Sequence, residues 1–283
     1  MKIAITGASG FVGSHLSSQF GGSHTLLPLG RRELSDPTKL SSLLEGVDWI
    51  INLAGAPIIA KWSESYKKVL YSSRIETTRS LLLALKECPT KPSLFTSTSA
   101  IGIYDNQGTY AEGDLALAQD FLGKLAKDWE EEALKAQDLG IRTVVFRFGV
   151  VLGKGGGMME KLRLPFSLGL GGVIGDGKQK FSWIHLHDIA KAMEFAWSTP
   201  SLSGIYNLTA PSPTTNEAFT KLYGSLIHRP TLLPVPLWAL QILFGEGAKV
   251  LSDGQAAIPE RLLQAGFEFE YPTLEKALKE IIS

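Results

Sequence analysis

The sequence predicts an α/β protein with a doubly wound, mostly parallel sheet and a second, smaller C-terminal domain. Three observations predict it. Short apolar runs alternate with helix-period segments from the first residue to about Val150. A glycine-rich turn, "GASGFVG", joins the first apolar run to the first helix. Beyond Leu152 the chain shifts to loops rich in Gly, Pro and Ser between short elements.

Lys2–Thr6 is a continuous apolar run, as expected of a strand buried on both faces. A helix over Phe11–Phe20 follows, then strand "HTLLPLG", helix "PTKLSSLLEG" and strand "VDWIINLAG". "ESYKKVLYSSRIETTRSLLLALKEC" reads as one long helix and "SLFTSTSAIGIY" as a strand. "DFLGKLAKDWEEEA" is an amphipathic helix, and "IRTVVFRFGVVLG" closes the repeat as a strand. The spacing predicts a dinucleotide domain over residues 1–150, completed by 181–198. Residues 151–180 and 199–283 form the smaller, substrate-side part, whose tail is helical material broken at Gly245 and Pro259.

The 283 residues carry 28 Lys and Arg against 28 Asp and Glu, so no global charge points to nucleic acid or an anionic membrane. The single cysteine, Cys88, excludes an internal disulfide and fits a reducing compartment. "MKIAITG" starts a strand at once, and "VPLWALQILFG" is too short to span a bilayer. A cytoplasmic protein is expected, without membrane or nucleic-acid partners.

Gly7, Gly10 and Gly13 lie between strand and helix, where they permit a tight turn, close approach of a pyrophosphate and close helix–strand packing. Ser9, Phe11 and Val12 complete this cofactor loop. The second strand should end at the residue that reads the adenosine ribose. Here it runs into Arg31 and Arg32, which suit a 2′-phosphate, so NADP(H) is expected over NAD(H). Glu33 follows directly and keeps NAD as an alternative. Leu53, Ala54 and Gly55 place small residues beside adenine and ribose, with Ser97 on the next strand.

With these residues assembled, the chain resembles the extended short-chain dehydrogenase/reductases. The shared marks are "TGASGFVG", "NLAG", "TSTSAIGIY", "FRFGVVLG" and "FSWIHLHDIA". It is similar in particular to their atypical, epimerase-like branch, through "KWSESYKKVLYSSRIETT", "DFLGKLAKDWEEEA" and the tail "GEGAKVLSDGQAAIPERLLQAGFEFEYPTLEKAL". The resemblance implies a Rossmann-like NADP-binding domain, a small C-terminal domain, a small-molecule substrate and a homodimer.

The superfamily's chemistry uses a Ser or Thr, a Tyr, a Lys four residues later and often an Asn. Ser99 fits the serine slot, with Ser97 and Thr98 as alternatives. The asparagine slot falls at Arg74, read either as a binder of an anionic substrate group or as a solvated helix charge. No tyrosine has a lysine four residues on. The Tyr and Lys slots fall at Phe121 and Leu125, or at Leu122 and Ala126, within an apolar stripe that continues to Trp129 and Ala133. Lys124 and Tyr104 are the candidate substitutes, each with a plain structural alternative. His185 and His187 alternate along a strand and do not converge on a metal. Two functions follow: an NADP(H)-dependent reductase or epimerase acting on a polar small molecule such as a nucleotide sugar, or an NADP-binding sensor or partner-binding protein without hydride chemistry.

Overall fold

The computed structural model describes residues 1–114 and 116–283. The first half runs β1 (Lys2–Thr6), α1 (Phe11–Phe20), β2 (Thr25–Leu29), α2 (Arg31–Leu34), α3 (Pro37–Leu44) and β3 (Trp49–Asn52). Next come α4 (Glu64–Tyr71), a π-helical turn (Ser72–Glu76), α5 (Thr77–Glu87), β4 (Leu94–Ala100), β5 (Thr109–Tyr110), α6 (Phe121–Leu134) and β6 (Arg142–Phe148). The second half holds β7 (Val150–Leu152), α7 (Gly157–Ser167), β8 (Lys180–Phe181), β9 (Trp183–His185), α8 (Leu186–Ser198), β10 (Gly204–Leu208), β11 (Thr214–Thr215) and α9 (Asn216–Leu226). The tail contains α10 (Leu237–Phe244), α11 (Lys249–Ser252), β12 (Ala256–Ala257), α12 (Glu260–Gln264) and α13 (Leu274–Ile282).

Six parallel strands form the central sheet in the order β10-β6-β4-β3-β1-β2. Successive side chains of β1 serve opposite faces. Ile3 and Ile5 join Leu16, Phe20, Ile189 and Met193 under α1 and α8. Ala4 joins Leu81, Leu85 and Phe95 on the other side. Burying each large apolar side chain stabilises the fold by about 1.5–3 kcal/mol, which explains why these runs lack polar alternation. The sixth strand comes from Gly204–Leu208, inside the range assigned from sequence to the smaller part. Helix α8 packs on α1 in the same core.

The strand read over "IRTVVFRFGVVLG" is broken at Gly149. Its N–H bonds Leu208 O, and a side chain there would meet Ser182 O at 2.9 Å. Strand β7 therefore leaves the sheet and pairs with β9. It leads to a second core of Leu152, Phe166, Phe181, Trp183, Phe219 and Leu278. Cys88 is buried with Sγ beside Ala84 O.

The tail closes on the nucleotide half through a polar seam. Asp188 accepts the N–H groups of Glu270 and Tyr271 at 2.7 and 3.0 Å. His185 meets Glu280 at 3.1 Å and lies against the Tyr271 ring; Lys154 meets the other Glu280 oxygen. His187, paired with Glu270, faces His15 of α1 with ring centroids 6.1 Å apart. Burial holds both His15 and His185 below the ordinary value of 6.5; neighbouring histidines add to this, and Glu280 opposes it. The folded chain thus binds fewer protons than the unfolded chain once pH falls below 6.5, so stability is lost on acidification through that value. Urea midpoints should fall between about pH 7.5 and 5.5, less steeply in His15→Gln. A midpoint that holds or rises over that range would refute this linkage.

Candidate active site

The order of strands reverses between β1 and β3, and the crevice at such a switch point is where doubly wound folds bind ligands. Gly7 turns there with φ +66°, and a Cβ on it would meet Leu53 O at 2.9 Å. A Cβ on Gly13 would meet Gly7 O at 2.2 Å, so α1 approaches the strand as the motif requires. Gly10 caps α1 with its side facing solvent. Thr6 Oγ1 accepts the N–H groups of Leu53 and Ala54 and donates to Asn52 Oδ1 at 2.7 Å, which fixes the two strand ends together. Ser9 is exposed on this loop. The Phe11 ring is wrapped by the backbone of Gly156 and Gly157.

Arg31 and Arg32 lie just past β2 and are exposed. Glu33, the competing carboxylate, accepts the Gly30 N–H at 2.9 Å and so caps its own helix. Among the described residues neither arginine has an acidic partner.

Beside the glycine loop is a cavity of about 320 Å³. Val12, Leu53, Phe148 and Gly149 form one side, and Leu122, Leu125, Ala126 and Trp129 of α6 form the other. Thr98, Ser99 and Arg74 supply its polar groups. The π-helical turn sets Arg74 in place, a local widening frequent at functional sites. Its guanidinium donates to Leu70 O and Ala56 O at 3.1 and 3.0 Å and stacks over Trp129 at 5.3 Å. Burial lowers its pKa to about 10. The Nε–H and one Nη2–H have no acceptor among the described residues, nor does the buried Trp129 indole N–H.

Ser99 donates its hydroxyl hydrogen to Glu130 Oε1 at 2.7 Å. Glu130 is gripped by Arg147 through Nε at 2.7 Å and Nη2 at 2.8 Å. Burial works against the Arg147 charge, but the bonds and charge of Glu130 more than offset it and hold its pKa above the ordinary arginine value. Arg147 Nη1 donates to Tyr104 Oη at 2.6 Å.

The structure thus brings Ser99 and Arg74 to one cavity and leaves other candidates outside it. Tyr104 is fully buried, with its hydroxyl held by Arg147, Asn207 and Ala111. With that hydroxyl engaged and the ring outside the cavity lining, it is not placed as a substitute acid at the cavity mouth; burial raises its pKa. Lys124 is exposed and does not line the cavity. Ser97 is fully buried, and its hydroxyl accepts from Asn52 rather than facing a cofactor. The Tyr and Lys slots at 122 and 126 do face the cavity, as Leu and Ala. Sequence reasoning missed Glu130 and Arg147. The available signal was a carboxylate one turn beyond Ala126 on the buried side of α6, and an arginine amid the apolar strand "TVVFRF".

Removing one member of a buried ion pair costs about 3–5 kcal/mol, because the other is left uncompensated. Arg147→Met should lower stability by about that much, and adding Glu130→Leu should restore much of it. Chemical unfolding of the four proteins of the cycle measures this; additive losses would show that the pair does not couple.

Comparison with known proteins agrees with this geometry. Residues 3–209 match the model of the NAD dependent epimerase/dehydratase family, and residues 235–281 match a domain of unknown function. The epimerase family protein YfhF of Bacillus subtilis is 36% identical, over 100% of this chain and 98% of its own. The epimerase family protein SDR39U1 of Bos taurus is 36% identical over 100% of both. The crystal structure of human SDR39U1 with NADPH superposes with a TM-score of 0.92 at 34% identity, covering 99% of each chain. A UDP-glucuronic acid 4-epimerase from Bacillus cereus, at 18% identity and a TM-score of 0.78, shares the fold. Glycine cradle, parallel sheet, apolar α6 wall and C-terminal tail occur here in one chain, which belongs to the NAD dependent epimerase/dehydratase family.

Proposed function

We propose that this chain binds NADP(H) and exchanges a hydride with a small molecule that has an apolar body and an anionic or strongly hydrogen-bond-accepting oxygen. The observation that carries this reading is that Ser99 and the Arg74 guanidinium line one largely apolar cavity beside the glycine loop, with Thr98 as the other polar group. The cradle fits a dinucleotide, since side chains at Gly7 and Gly13 would fill the space between loop and strand. Gly7, Gly10 and Gly13 would hold the pyrophosphate, and Arg31 and Arg32 the 2′-phosphate. Human SDR39U1, with NADPH in its crystal, supports this choice of cofactor. When bound, the nicotinamide supplies or accepts the hydride.

The chain's own groups then divide the work. Arg74 keeps its charge near neutral pH and directs its free N–H groups at an acceptor on the ligand. Ser99 has committed its only hydrogen to Glu130, so its oxygen faces the ligand as an acceptor and pairs with a donor such as a hydroxyl. Among the described residues no side chain lining the cavity takes the place of the tyrosine acid, so the proton exchanges with water. Loss of a positioned acid costs about 10²–10⁴ in rate, and turnover is expected to be slow. The apolar wall of Leu122, Leu125 and Ala126 favours a second reading, a redox-state sensor without turnover.

Calorimetric titration should show tighter binding of NADPH than NADH, with Arg31→Ala/Arg32→Ala erasing about 10–100-fold of the difference. Equal affinities that ignore the substitution would remove the 2′-phosphate assignment. A metabolite screen for NADPH oxidation separates enzyme from sensor. For any active compound, Arg74→Met should lower kcat/KM by about 10²-fold while leaving NADPH affinity unchanged. Full activity in that variant would exclude Arg74 from substrate binding.

A further inference from the structure

One surface is poorly accounted for by a freely soluble chain. On α7 and the loop after it, Leu164, Leu168 and Leu170 are exposed. The segment from Pro230 into α10 exposes Leu232 (85%), Leu233, Leu237, Trp238 (65%), Ile242 (67%) and Leu243. The two stretches lie side by side. Val235 N–H bonds Val173 O, Gly175 N–H bonds Val235 O, and Gly169 lies against the Pro230 ring. Helix α10 is apolar almost all round, although only Leu240 is buried. A helix with that composition belongs in a core or against a nonaqueous surface.

The charges of these stretches indicate what covers the face. Residues 161–175 and 228–243 contain Lys161, Arg163 and Arg229, with His228, and no Asp or Glu. All four are exposed. Arg163 has a solvent-exposed partner in Glu160, at 3.3 Å, just outside this range. In a chain with 28 acidic and 28 basic residues, two adjoining stretches without a carboxylate, the first ending just before Asp176, are a local asymmetry hidden by the zero net charge. A second copy packed face to face would bring these cations against their own equivalents. An anionic lipid surface matches both features, since Trp, Leu and Ile enter the acyl boundary while Lys and Arg meet the headgroups.

We infer that the exposed face of α7, the Pro230–Pro236 segment and α10 is a peripheral docking site for anionic phospholipid membranes. No helix is long and apolar enough to cross a membrane among the described residues, so the contact is interfacial. The other side of α10 makes it relevant to the cavity. Phe244 O accepts the Trp62 N–H, Gly247 lies against Ala60 and Trp62, and Lys67 pairs with Glu246 at 2.5 Å. The stretch from Ile58 to Trp62, whose first residue lines the cavity, thus packs against the end of α10 and the turn that follows it.

The test is co-sedimentation of the full chain with vesicles of 30 mol% phosphatidylglycerol in phosphatidylcholine, against pure phosphatidylcholine, by roughly the two-part logic of apolar and charge terms. Binding is expected to the first only, with loss in 0.5 M salt taken as roughly three Debye-length-limited contacts. Trp238→Asp/Ile242→Asp should abolish binding, and Lys161→Ala/Arg163→Ala/Arg229→Ala should weaken it about a hundredfold, at about one tenfold step or less per cation. These side chains are exposed, so thermal midpoints should match the parent, and Leu243→Gln provides a milder second variant. No binding to either vesicle, or binding that survives the aspartate pair, would overturn the inference. So would a concentration-dependent dimer broken by the same pair, which would assign the face to a second copy.

Discussion

The bidentate pair between Glu130 and Arg147 is the constraint from which the cavity takes its form. A carboxylate and a guanidinium withdrawn from water persist only where each satisfies the other and their remaining hydrogen-bonding capacity is used. Here Nε and Nη2 of Arg147 serve Glu130, and Nη1 carries the chain of bonds onward. Arg147 reaches Tyr104, Tyr104 donates to Asn207, and the Asn207 amide donates to Ile258 O in the tail. Ser99 completes the Glu130 side. One chain of bonds therefore joins α6, β4, β6, β10 and the segment leading to α12. Its charge also fixes the roll of α6 about its own axis. With Glu130 turned to Arg147, the face carrying Leu122, Leu125 and Ala126 has no direction open to it except the cavity.

Much of the sheet was legible because its signals are local. Lys2–Thr6 and Phe11–Phe20 coincide with β1 and α1, since a buried apolar run and a glycine-started amphipathic helix each depend on neighbours a few residues away. The long helix read through "SSRIETT" is continuous in space but widens into a π turn at Ser72–Glu76. Periodicity carries no mark of that extra residue per turn. The break at Gly149 was illegible for a similar reason, because it answers to Ser182 and Leu208, far away in sequence.

The site divides along the same line. Ser99 and Arg74 could be placed from their slots, whereas Tyr104 and Lys124 were placed by proximity along the chain, which did not survive folding. Tyr104 is drawn inward by a charge 43 residues away, and Lys124 follows the solvent face of its helix. Ser97 illustrates the alternation of a strand: two residues before Ser99 in β4 it shares that residue's side, yet Asn52 occupies its hydroxyl. Spacing gave the facing; only the three-dimensional neighbours decide whether a polar group is free.

Arg74 has the opposite relation to its surroundings from Arg147. Both are largely withdrawn from water, but Arg147 has a carboxylate and Arg74 has backbone carbonyls and the face of Trp129. Carbonyl dipoles and a ring quadrupole stabilise a cation without cancelling its charge. With its pKa at about 10, Arg74 is still protonated by roughly a thousandfold at pH 7, so the apolar cavity carries a net positive charge. A wholly apolar occupant would displace water from that charge and return nothing in exchange. An anionic oxygen would restore the balance and satisfy the free N–H groups together. Where the superfamily pattern has a tyrosine and a lysine on α6 the cavity presents Leu122 and Ala126, and among the described lining residues its cation is Arg74, on the widened turn.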